Sequence, residues 1–572
     1  MLFLEPIVNV EPTPIAEVDA AIERLHEKKD AWLDVDDDAR AKLLDACVTS
    51  IHAAAKRWAE VGASIKGVRA TDDVAGEEWL AGVMPTLRNA RLLADAMRQG
   101  RKPKPAAVRV REDGRTVARV FPTNLFERLM FGGVTADVVI EKGKAATQGT
   151  RRGGEGRVCL VLGGGNVSSI PPMDVFYKLF VEDEVVLLKM NPVNEALGPT
   201  LLEALKPLVD EGVLAIVYGG AEVGAHASSH PEIGSLHVTG SDRTYDAIVW
   251  GGDKEKKTRA NDKPFSAELG CVTPVIVVPG PWSAADIAFQ ARHVASMVTQ
   301  NASFNCNAAK VIVTARGWLQ REAFLDALHA ELVRAKPRKA YYPGARQRWK
   351  GFLDKYPKAL VLGTLPHDEP EAVVPWTAVP DVSDAEGEYA LTNEAFCGVV
   401  AEVALDLSSA AGEGGGMRRD PTTVDVDRFL DKAVTFANDR CWGTLSCAIL
   451  AHPATLESHA TAIGRAIGDL RYGAVGINVW PGVVYGLVSP TWGAYPGHTP
   501  EDIQSGVGVV HNAFLFDHPE KSIVRAPFRI RPTPAWFHDH RNLRELGERL
   551  VDFEAEPSWG RFFRVVRAAM KG

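Results

Sequence analysis

From Val158 onward, short runs of branched apolar residues alternate with amphipathic stretches, and this alternation constrains the fold more than any other feature of the chain. "RVCLVLGGGN" reads as a strand entering a glycine loop, "PPMDVFYKLFVED" as a helix, "EVVLLKMNP" as a strand and "ALGPTLLEALKPLVDEG" as a helix. "LAIVYGG", "EVGAHASSH" and "IGSLHVTGS" continue the pattern. Strands interleaved with helices build an open, mostly parallel sheet, which binds ligands beyond the carboxyl ends of its strands. A second α/β series starts near "CVTPVIVVPG" and "ADIAFQARHVASMV" and runs to about residue 465. The expected fold class is therefore α/β, with two such domains around a cleft and a small additional β element.

At 572 residues the chain exceeds what one core supports. Residues 15–100 read as helical, because "DVDDDARAKLLDACVTSIHAAAKRWAEV" opens on acids and then repeats apolar residues at helical spacing. After "GRKPKPAA", the stretch "VRVREDGRTVARVFP" alternates around Asp113-Gly114 and reads as a hairpin, a ribbon that suits another subunit or domain and equally a local sheet edge. The expected divisions are 1–107 (helical), 108–150 (bridging hairpin) and 151–266 (first α/β series). Then come 267–470 (second α/β series) and 471–572 (return to the first α/β unit, and tail). "SSAAGEGGG" is expected to be a loop.

A net charge of −8 without a dense Lys/Arg block gives no reason to expect nucleic acid. No apolar run reaches membrane-spanning length, and "MLFLEPIVNVEPTP" lacks the basic start of a signal peptide. The seven cysteines are scattered without a C-x-x-C pair, which suits a reducing cytoplasm and disfavours a disulfide framework or zinc ribbon. His538 and His540 in "WFHDHRN" lack a supporting carboxylate cluster, so no metal is expected.

Cys306 lies in "TQNASFNCNAAKVIV", among small and amide side chains and just before an apparent strand. There it could be a small core residue, a metal ligand or a nucleophile. Four stretches appear in order: "VTGS" (238–241), "ELG" (268–270), "NASFNC" (301–306) and "NEAF" (393–396). Together with "LLKMNP" around Lys189, they resemble the aldehyde dehydrogenase superfamily over roughly residues 20 to 515.

The resemblance implies an aldehyde dehydrogenase-like fold and assigns roles by position. Cys306 would be the nucleophile, adding to the aldehyde carbon to give a thiohemiacetal and, after hydride loss, a thioester. Glu268 would be the base that activates the hydrolytic water. The alkoxide donor would be Asn166 in "GGGNVSSIPP", chosen for its amide over Ser169, which falls at the expected place by counting. Lys189, Gly220, Gly224, Gly240 and Ser241 would receive the dinucleotide, Glu394 the nicotinamide ribose, and Phe396 would stand beside the nicotinamide. Pro192 replaces the acid that NAD-preferring members often carry three residues after the lysine, which leaves NADP admissible beside NAD. Cys397-Gly398 after Phe396, Cys271 after "ELG", and the blurred "SPTWGAYPG" mark a divergent member.

The implied reaction is NAD(P)-dependent oxidation of an aldehyde to a carboxylic acid, in a homodimer or homotetramer. "GGGNVSSIPPMDVFYKLFVEDEVVLLK" also looks like fatty acyl-CoA reductases, so an acyl-thioester reductase or CoA-acylating dehydrogenase is the alternative; Glu268 favours hydrolysis. A catalytically silent scaffold on the same fold is the second alternative.

Overall fold

The computed structural model describes all residues except 1–2, 5–7, 152, 257, 364 and 408–423, so "SSAAGEGGG" lies outside the described residues. The chain forms two compact units, both α/β. One comprises Phe3–Gly270, Val484–Ile523 and His540–Gly572; the other comprises Cys271–Val483 and Val524–Asp539.

The first unit holds a six-stranded sheet in the order Gly506–Val507, Phe265–Leu269, Ser235–Gly240, Val158–Leu162, Val185–Lys189, Leu214–Val217. All neighbours are parallel except the outermost Gly506–Val507 pairing. The central strands "VCLVL" and "VVLLK" are buried at every position, because helices cover both faces of a parallel sheet and leave no solvated side. Strand order reverses at Val158–Leu162, whose chain successor lies on one side and Ser235–Gly240 on the other. In open α/β sheets such a switch point, outside the carboxyl ends of the two strands, is where ligands bind. Helix Ile170–Phe180 follows, buried along its whole length, with prolines in its first turn where no amide partner is lost.

The long helix Asp37–Ile65 starts at Asp36, whose carboxylate accepts the Ala39 N–H at 2.7 Å. Strands Ala107–Val110 and Thr116–Phe121 pair antiparallel around Gly114, whose φ of +83° suits a tight turn. The tail forms helices Leu543–Ala555 and Trp559–Ala569. Glu554 fixes it to the unit, accepting from Arg88 Nη1 at 2.8 Å. Although burial opposes ionisation, Arg88 and Arg91 hold that carboxyl below its usual range. Among the described residues, no helix is long and apolar enough to cross a membrane.

The second unit's strands run Ala474–Ile477, Ser446–Leu450, Thr273–Val277, Ala309–Ala315, Val399–Leu405, Thr377–Val379, Leu360–Val361, parallel up to the last pair. Helix Ala284–Thr299 opens with a reciprocal cap between Ser283 and Asp286 and delivers the chain to Cys306.

Candidate active site

All seven cysteines are free, and Cys306 alone is not fully buried. Burial pushes the other six thiols up, Cys397 to about 12, so they are poor nucleophiles. The turn carrying Cys306 is unusual: Asn301, Ala302 and Ser303 are left-handed in succession, with φ of +54°, +55° and +69°. Each such residue costs roughly 1–2 kcal/mol unless its surroundings hold it.

Those surroundings are visible. The Asn301 amide donates to Phe304 O (3.2 Å) and Asn305 Oδ1 (3.0 Å), and its Oδ1 accepts from Tyr341 O–H (3.0 Å). Trp480 Nε1 donates to Asn307 O at 2.9 Å. Buried Lys310 donates to Asn305 O (2.9 Å), Cys306 O (3.2 Å) and Ala308 O (3.4 Å), and Thr273 Oγ1 also donates to Cys306 O. An ammonium here gathers three carbonyls that the tight turn turns inward, so Cys306 is presented on a rigid loop.

Glu394 and Phe396 come to the same place. Glu394 Oε1 lies 3.0 Å from Lys310 Nζ, and burial pushes its carboxyl above the ordinary range against the pull of that ammonium. The Phe396 ring is 5.8 Å from Phe304 and 5.0 Å from Tyr342, and Arg348 donates to the Phe396 carbonyl. Lys310 was not singled out in the sequence, since a lysine inside an apolar run carries no motif.

The other site residues fall in the first unit. Glu268 is buried in strand Phe265–Leu269, its Cα registered with Thr239 on one side and Gly506 on the other. Gly506 has φ +117°, and a Cβ there would come within 1.8 Å of Ala267 O, so only glycine lets that backbone lie beside Glu268's strand. Residues two apart share a face, which puts Ser266 with Glu268 and, on the next strand, His237 with Thr239. His237 Nδ1 lies 2.9 Å from Ser266 Oγ, Thr239 donates to Asp174 Oδ2 (2.9 Å), and Lys178 donates to Ser266 Oγ (2.8 Å). This buried polar chain had no signature in the sequence.

Asn166 is buried in the turn after strand Val158–Leu162. Ser169, its rival by counting, donates to Ala81 O and accepts from Tyr485 O–H at 2.6 Å, so that hydroxyl is committed to structure. Lys189 ends its strand, largely buried. Burial lowers its pKa while Glu195 opposes the shift, and Glu195 is itself raised by burial against Lys189. Gly220 precedes helix Ala221–Ser229 with open space where a Cβ would sit, and a Cβ on Gly224 would lie 3.9 Å from Lys189 Cε. Gly240 ends its strand, and Ser241 caps helix Asp242–Trp250 by accepting Thr244 N–H at 3.2 Å. Sequence-expected residues thus gather as Cys306, Glu394 and Phe396 in one unit, and at the strand ends in the other. Among the described residues, no group of three His, Cys, Asp or Glu could hold a metal ion.

The aldehyde dehydrogenase family model matches residues 181–341. An N-succinylglutamate 5-semialdehyde dehydrogenase from Sphingopyxis alaskensis is 28% identical over 173 residues, which span 30% of this chain and 33% of that relative. The chain therefore matches about a third of that relative's length. The aldehyde dehydrogenase KauB from Pseudomonas aeruginosa superposes with a TM-score of 0.63 at 16% identity, covering 92% of each chain. A Mycobacterium tuberculosis aldehyde dehydrogenase complexed with NAD+ gives 0.61 at 18% identity, covering 92% of this chain and 94% of that one. At these identities the superpositions speak for the fold. The matched segment is thus similar to the aldehyde dehydrogenase family, and the fold is that of the aldehyde dehydrogenases it superposes on.

Proposed function

We propose that the protein is an NAD(P)-dependent aldehyde dehydrogenase that produces a free acid through a Cys306 thiohemiacetal and thioester. The observation that carries this reading is the Cys306 turn: the one cysteine not fully buried, on a loop braced by Lys310, with Glu394 and Phe396 drawn around it. In this reading the Cys306 backbone N–H and the Asn166 amide stabilise the alkoxide. Glu268 then takes a proton from the water that hydrolyses the thioester.

The first unit's strand ends fit a dinucleotide. They lie where strand order reverses, are lined by glycine, leave open space at Gly220, and set the Lys189 ammonium beside Gly224. When bound, the nicotinamide accepts the hydride. Lys189, Gly220, Gly224, Gly240 and Ser241 would hold its adenosine half, and Glu394 and Phe396 its nicotinamide half. Reduced cofactor formed from a panel of aldehydes, measured with and without CoA, tests the proposal. Turnover without CoA supports it, strict CoA dependence would assign the thioester to a thiol acceptor, and no turnover with any aldehyde would leave a silent scaffold.

Glu195 changes the expectation about cofactor choice. Pro192 removes one carboxylate near Lys189, but the short turn Glu195–Leu197 brings another close enough to interact with that ammonium. A carboxylate there disfavours a 2′-phosphate, so NAD should bind better than NADP. Glu195→Gln should narrow the NAD-over-NADP ratio of dissociation constants by roughly tenfold. An unchanged ratio in binding titrations would remove Glu195 from the discrimination.

A further inference from the structure

Helix Leu125–Met130 and the tail helix Trp559–Ala569 are more than 400 residues apart in sequence but share one exposed face. Phe126 joins them, its ring 4.8 Å from Trp559, 5.7 Å from Phe562 and 5.4 Å from Phe553. On these two helices and just past the end of the second, Leu125, Leu129, Trp559, Phe563 and Met570 stand between 49% and 70% exposed. Arg128, Arg564 and Arg567 are exposed on the same two helices and make no ion pair among the described residues. From Pro557 to Gly572 the chain carries Arg561, Arg564, Arg567 and Lys571 and no acid, against a net charge of −8 overall. Arg561 and Lys571 are paired, with Glu556 and Glu545.

We propose that this face docks the protein peripherally on an anionic lipid surface. Large apolar side chains bordered by uncompensated arginines match a layer that is apolar beneath and negative on top, and a helix lying in that layer needs no spanning run. A second copy is disfavoured as occupant, because an isologous contact would set the same unpaired arginines against each other. Phe553 and Phe562 supply the fixed base: they are buried, while Trp559, Phe563 and Met570 point out.

Sedimentation of the full chain with vesicles tests this. The protein should co-sediment with equimolar phosphatidylcholine and phosphatidylglycerol and not with phosphatidylcholine alone, and added salt should weaken the binding. Arg564→Gln with Arg567→Gln should lower the partition coefficient roughly twentyfold or more, with unchanged far-UV circular dichroism. Phe563→Ser should lower it by a similar factor. No association with the anionic vesicles, equal association with neutral ones, or indifference to both variants would overturn the proposal. Concentration-dependent dimerisation abolished by Phe563→Ser would overturn it in favour of a contact between copies. Equal retention of wild type and Phe563→Ser on polyglutamate would overturn it in favour of an acidic macromolecule.

Discussion

Glu268→Gln should leave thioester formation nearly intact and slow its hydrolysis by roughly 10²–10⁴-fold. The amide keeps the shape of the carboxylate and its capacity for hydrogen bonding, but it cannot accept a proton. Strand Phe265–Leu269, buried and registered on both sides, should hold the substituted side chain in place. Rapid mixing with aldehyde and cofactor should give a burst of reduced cofactor near one per active site, then a slow steady rate. A small external thiol should restore part of that rate by attacking the thioester without an activated water. Loss of the burst would mean that Glu268 acts before hydride transfer, on the Cys306 thiol itself. An unchanged steady rate would point to resolution by a thiol acceptor.

Cys306→Ala should abolish turnover, a loss of roughly 10⁴ or more, while dinucleotide binding and the circular dichroism spectrum remain. The expected binding sites for most of the dinucleotide lie in the other unit. The removed sulfur is on the cysteine least committed to the core, and the Cys306 backbone contacts to Thr273 and Lys310 survive the substitution. Residual activity above about one part in a hundred would sink the assignment. Cys271, buried and with its thiol pushed up, would then need a route to a thiolate that its surroundings oppose.

The sheets were legible because parallel strands buried on both faces spell unbroken apolar runs, as "VCLVL" and "EVVLLK" do. The hairpin at Asp113-Gly114 was legible because its turn chemistry is local. Cys306, Glu268 and Glu394 could be proposed as site residues because each sits in a short ordered motif. Lys310 could not, because its role depends on carbonyl directions in a turn whose left-handed backbone no residue type announced: Ala302 and Ser303 are ordinary elsewhere. Glu195 had no signal in the sequence, since its interaction with Lys189 depends on the turn Glu195–Leu197. The partners of Ser169, Ala81 and Tyr485, come from distant parts of the chain and so had no signal in the sequence. The tail had no reading at all, since its anchor Phe126 lies far upstream.

The left-handed run at Asn301, Ala302 and Ser303 bears on how the protein can be improved. A search for stabilising substitutions that scored backbone geometry alone would choose this turn first, and Ser303→Gly should raise unfolding stability by about 1 kcal/mol. The same change frees the segment that presents the sulfur, so the gain in melting temperature should come with a lower kcat. A β-branched residue at 302 should fail for the opposite reason, having no relaxed conformation at that φ. Evolution toward robustness and evolution toward rate therefore pull on the same three residues, and thermal hardening of this protein should begin elsewhere in the chain.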